Sequence, residues 1–178
     1  MAMLKVPVNE RDHLRGDLNA RATLVEYGDY QCPHCGAAHS IVNQVLVHYG
    51  PRLRFVYRHF PLTQVHPLAE PAAEVAEFAG THGRFWEMHD ELFEHQDQLG
   101  LPLFAALTRA LGLPMQELEE ALQNRVFLPK IQSNFTGGVR SGVNGTPTFF
   151  IGERRFDGVP GAGSLVAAID DQFFAAPR

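Results

Sequence analysis

Apolar residues in this chain change period along its length, and each change marks an element. From Thr23 the stretch TLVEYGDY is rich in strand formers and stops at Gly28 and Asp29, which predicts a β-strand. Ala38, Ile41, Val42, Val45, Leu46 and Tyr49 then recur at helical spacing until Gly50-Pro51 ends the run. In RLRFVYRHF, Phe55 and Tyr57 alternate with Val56 and Arg58, the period of a second strand. Strand, helix and strand together make a βαβ unit.

Between Pro67 and about Val143 the patterning is helical throughout. Leu68, Ala72, Val75, Ala76 and Ala79 form one stripe, and Phe85, Met88 and Leu92 a second. Leu103, Leu107, Ala110 and Leu111 follow, then Met115, Leu118 and Leu122, then Leu128, Ile131, Phe135 and Val139. Breaks fall at THGR, QLGLP, LGLP and FLP. Such stripes predict a packed helical core rather than a cofactor site. Strand patterning returns in GTPTFFIGERRFDG, where two short runs flank Gly152 as in a hairpin, and a last helix is expected from about Ser164 to Phe174. The fold class is therefore α/β, with residues 1–62 and 143–178 in one part and 63–142 as an inserted helical part.

The composition narrows the partners. The chain is 45% hydrophobic and 20% charged, with a net charge of -5. A mildly acidic chain without basic blocks argues against nucleic acid and against anionic membrane. No apolar run approaches the roughly 20 residues that cross a bilayer. The opening MAMLKVPVNERDHLRGD has no apolar signal region. A cytoplasmic address is expected, or a periplasmic one if a leader has been trimmed, and a monomer is expected over an oligomer.

The chain has two cysteines, Cys32 and Cys35, spaced as CPHC where the first strand hands over to the helix. Two thiols cannot staple a fold, so this spacing points to redox or metal chemistry. A thiolate at a helix start is stabilised by free backbone N–H groups and the positive end of the dipole. Pro33 suits the first helical position, where its missing N–H costs nothing. His34 can add positive charge or a donor. Cys32 is thus the attacking sulfur, and Cys35, one turn further in, resolves the mixed disulfide. A metal reading would use Cys32, Cys35, His34 and His39, but no second ligand pair follows elsewhere, and no metal is expected. A metal-binding or chaperone-like interaction module stays the alternative outside redox chemistry. His59 and His66 stand where they could line the site's edge, while His82, His89 and His95 read as surface or satisfied core residues.

CPHC after a strand, a long helical segment, and then GVNGTPTFFI together resemble the DsbA-like thiol–disulfide oxidoreductases of the thioredoxin superfamily. The resemblance spans about Thr23 to Ile169. It implies a thioredoxin fold with an inserted helical domain, no organic cofactor, and protein thiols or disulfides as substrates. It implies a cis Pro147 beside the dithiol, with the backbone of Thr146 presented to an extended substrate. Threonine before that proline resembles the isomerase and reductase branches. Glu26 matches a buried acid that assists proton transfer, and His34 matches the dipeptide position that tunes the redox potential. His39 departs from the acid found at that helix position in the best-known members. A glutathione-dependent relative of the same fold is the alternative within this chemistry.

Overall fold

The computed structural model describes residues 2–175. Strand β2 (Ala22–Gly28) is buried along its whole length. It pairs in parallel with β3 (Leu53–His59) and antiparallel with β4 (Thr148–Ile151). A parallel pair needs a crossover, which helix α1 (Pro33–Tyr49) supplies. The edges are β1 (His13–Gly16) and β5 (Arg154–Arg155), giving the order β1-β3-β2-β4-β5.

The alternation read in RLRFVYRHF suggests a half-exposed strand, yet only Arg54 of β3 escapes full burial. The cause is β1, a strand too short to show a period of its own, which covers the outer edge of β3. The segment before β1 then covers Arg58. That guanidinium lies 2.8 Å from each Asp12 carboxylate oxygen and donates to the Val6 and Pro7 carbonyls and the Tyr27 hydroxyl. A buried arginine is tolerated because its charge is paired and its donors are used.

Helix α1 buries Ala38, Val42, Val45 and Tyr49 against the sheet, with Ile41 and Leu46 half-buried at the margin. The inserted segment is α2 (Ala69–Thr81), α3 (Phe85–Glu94), α4 (Leu101–Ala110), α5 (Met115–Gln123) and α6 (Leu128–Arg140). One apolar cluster runs from Val42 and Phe55 through Val75, Met88 and Phe104 to Leu118. Three details differ from the stripes. Ala110 is exposed, and Phe104, outside the stripe, joins Leu107 in the core. Val139 is 53% exposed, because α6 turns Gly137 and Gly138 to the core instead. Phe60 and Tyr27 approach Gly138 so closely that a Cβ there would stand 2.7 Å from the Phe60 ring. Helix α7 (Ala162–Ile169) continues as a π turn over Asp170–Phe174, so the last helical run starts slightly earlier than its pattern suggests.

Candidate active site

The end of β2 builds the site. Asp29, buried, accepts the N–H groups of Gln31 at 2.7 Å and Cys32 at 3.1 Å through Oδ1. Its Oδ2 accepts the Leu62 N–H at 2.9 Å and lies 2.8 Å from His66 Nδ1. This turn delivers Cys32 to the helix cap in an extended conformation, with Pro33 opening the first turn of α1. From the inserted segment, Gln96 Nε2 donates to the carbonyls of Tyr30 and Cys32, each at 2.8 Å. Gly36 leaves room for it, since a Cβ at Gly36 would lie 2.4 Å from Gln96 Oε1.

The two sulfurs sit in unequal surroundings. Cys32 is 4% exposed and Cys35 is fully buried, both as free thiols. The Cys32 pKa is drawn down to about 5. The largest cause is a hydrogen bond from the Cys35 thiol, working against burial; the Thr146 side chain and the backbone N–H groups of Cys35 and His34 add to it. Neutral Cys32 donates to the Thr146 carbonyl at 3.4 Å, a bond that ionisation removes. The buried Thr146 hydroxyl has no hydrogen-bond partner while Cys32 is neutral and is free to serve the thiolate. Burial pushes the Cys35 thiol well up, and its bond to Cys32 and the nearby Glu26 charge push the same way.

Glu26 is 2% exposed on the central strand, level with Tyr57 on β3 and Phe149 on β4. Burial first, and the Cys32 charge second, raise its pKa to about 8, and Oε1 has no hydrogen-bond partner. The Thr146–Pro147 peptide is cis. The structure thus brings Cys32, Pro33, Cys35, Glu26 and Thr146–Pro147 together. The His34 side chain is exposed, and its contribution to the Cys32 sulfur comes through its backbone N–H. His66 braces Asp29, whereas His59 turns away from the site's edge, fully buried and 2.8 Å from Glu77 Oε1.

Two contributors lie outside the sequence reading. Asp29 could have been found, since an Asp closing a strand is a frequent acceptor for the N–H groups that follow. Gln96 left no signal, because it reaches the motif from 64 residues away. His89 is a satisfied core histidine, one of the two readings the sequence allowed it: it is buried with its Nδ1 2.9 Å from the Tyr30 hydroxyl.

A profile of the family described as thioredoxin matches residues 8–171. The Na(+)/H(+) antiporter NhaA 1 of Salinispora arenicola is 43% identical over 171 residues, covering 96% of this chain and 26% of that protein. The chain thus spans about a quarter of the length of the curated relatives it matches. Oxidised BdbD from Bacillus subtilis superposes with a TM-score of 0.85 at 20% identity, over 98% of this chain and 99% of its own. DsbA2 of Pseudomonas aeruginosa superposes with a TM-score of 0.73 at 25% identity, over 94% of this chain and 96% of its own. The chain belongs to the thioredoxin family and carries the DsbA-like form of its fold, with a helical insertion packed beside the dithiol.

Proposed function

We propose that this protein is a thiol–disulfide oxidoreductase that exchanges disulfides with protein substrates through Cys32 and Cys35. The observation that carries the reading is the unequal pair of sulfurs: one depressed to about 5 at a helix start, the other buried and raised. At neutral pH the Cys32 thiolate attacks a substrate disulfide. A mixed disulfide forms and one substrate sulfur leaves with the electron pair. Cys35 then gives up its proton and attacks the Cys32 sulfur, which expels the second substrate sulfur. The substrate gains two electrons and the enzyme becomes the disulfide; the reverse sequence oxidises a substrate dithiol. A thiolate stabilised this far favours the reduced enzyme, so passing a disulfide to the substrate is the favoured direction.

Glu26 is the proton acceptor in this scheme. Cys32 loses its charge on entering the mixed disulfide, which removes one of the causes that raise Glu26 and two of those that raise Cys35. Both groups therefore become easier to ionise at the step where Cys35 must lose its proton. The Thr146 backbone beside Cys32 suits an extended substrate segment that adds as a strand.

The antiporter-named relatives share with this chain about a quarter of their length. Among the described residues no helix is long and apolar enough to cross a membrane. We assign to the shared part dithiol exchange, and not ion movement. The test is trapping. Cys35→Ser protein should accumulate mixed disulfides with substrate proteins and Cys32→Ser protein should not. Equal trapping by both variants would remove the assignment of roles.

A further inference from the structure

We propose that His39, His89 and Asp90 form a site for a divalent transition-metal ion of the zinc class, set between α1 and α3 and separate from the dithiol. One ligand atom from each residue lies within 4.8 Å of the others. Both imidazoles are buried, with ring centroids 5.4 Å apart. Asp90 is divided between two tasks. Its Oδ2 is held by Arg15 Nη2 at 2.5 Å, while its Oδ1 is buried with no hydrogen-bond partner. An unpaired buried carboxylate oxygen is costly and needs an occupant.

The neighbours of Oδ1 indicate what that occupant is. His39 Nε2 stands 3.6 Å from it, beyond hydrogen-bond range. The Asn43 amide nitrogen lies 3.3 Å from the same ring nitrogen. An N–H donated by Asn43 to Nε2 marks that nitrogen as unprotonated, so no proton lies between it and Oδ1, and a bound ion would take its one lone pair in place of the Asn43 N–H. On the other side, His89 Nδ1 lies 2.9 Å from the Tyr30 hydroxyl. With the Nδ1 hydrogen given to that oxygen, Nε2 keeps its lone pair, the arrangement by which an outer partner fixes a ligating tautomer.

Two imidazoles and one carboxylate suit zinc and its neighbours, whereas magnesium and calcium favour oxygen ligands throughout. A surface cleft of about 560 Å³, lined by His39, Asn43 and Glu94, reaches the His39 side of the site and carries a further carboxylate in its wall. The Arg15 charge opposes a cation across Asp90, so the site is a reversible one and not a closed structural centre. A bound ion would tie the helix that carries the dithiol to the inserted segment.

The dithiol would itself bind such ions, so the experiment uses the protein with its Cys32–Cys35 disulfide formed. Co(II) and Zn(II) are titrated into it, followed by visible absorption and calorimetry. One equivalent should bind. His39→Ala and Asp90→Asn should each weaken binding by more than about tenfold. Asp90→Asn keeps the shape of the side chain and decides the matter if His39→Ala fails to fold. Absence of binding to the disulfide form, or binding that the folded Asp90→Asn protein retains unchanged, overturns the site.

Discussion

Cys32 and Glu26 titrate against each other, and each can be moved alone. Removing the Thr146 hydroxyl takes a donor from the Cys32 thiolate while leaving the backbone in place. A hydrogen bond to a charged group contributes about 1.5 kcal/mol, so Thr146→Val should raise the Cys32 pKa by about one pH unit. Thiolate absorbance against pH reads this directly, and an unchanged titration would mean that the backbone N–H groups suffice. Glu26 responds in the opposite sense. Its folded pKa of about 8 lies above the ordinary carboxylate value. Its stabilising contribution is therefore complete below the ordinary value and is lost as pH rises through about 8. Glu26→Gln should gain on the natural protein over that window, by on the order of a few kcal/mol, in denaturation at pH 5 and pH 8.5. It should also slow the step that releases substrate from Cys32. Glu26 was conspicuous in the sequence because a charged residue interrupts an apolar strand. The exposure of the His34 ring was not, because a motif position does not say which way a side chain turns.

At the scale of elements, periodicity located every α-helix of the insertion and the packing of Ile131 and Phe135 on α6, but not that the end of α6 packs through glycine and leaves Val139 exposed. Ile131, Phe135 and Val139 recur at helical spacing, yet close packing against Phe60 and Tyr27 selects Gly137 and Gly138. Hydrophobic patterning cannot register a contact made through the absence of a side chain. Phe60 is pinned by stacking on Phe135, with ring centroids 4.3 Å apart, so it has little room to retreat. Gly→Ala in a helix gains about 1 kcal/mol of propensity. Overpacking a rigid contact costs about 1–3 kcal/mol. The second effect should win at Gly138, and Gly138→Ala should lower the denaturation midpoint. Gly163 in α7 is the control, since a Cβ there meets nothing within 4 Å. Gly163→Ala should be neutral or stabilising, and a matching loss at both positions would refute the packing argument. Strand β1 was illegible for a related reason: four residues at a sheet edge carry too little pattern, and pairing with β3 makes it a strand.

For the whole molecule, the redox state of the dithiol and global stability are linked through the Cys32 thiolate. Its folded pKa of about 5 lies below the ordinary thiol value. The contribution is thus complete above the ordinary value, shrinks as pH falls, and is gone below about 5. It belongs to the reduced form alone, because the disulfide has no thiolate. Burial, the larger cause that raises Glu26, does not depend on the Cys32 charge, so the main part of its pH dependence should cancel between the forms; the part due to the Cys32 charge works against the thiolate and trims the difference. The disulfide in turn restrains the unfolded chain, but a loop as short as Cys32 to Cys35 restrains it modestly. Gln96 and Asp29 hold the cap geometry through the Cys32 carbonyl and N–H, contacts that do not involve the sulfur. The reduced protein should therefore melt above the oxidised protein near pH 7, and the gap should close as the pH is lowered through about 5. His34→Ala should leave most of the gap, since the contact from that residue is its backbone N–H. Calorimetric melts of both redox forms from pH 4 to pH 8 check each part. An oxidised form that melts higher at neutral pH would reverse the favoured direction of exchange and make the protein a reductant.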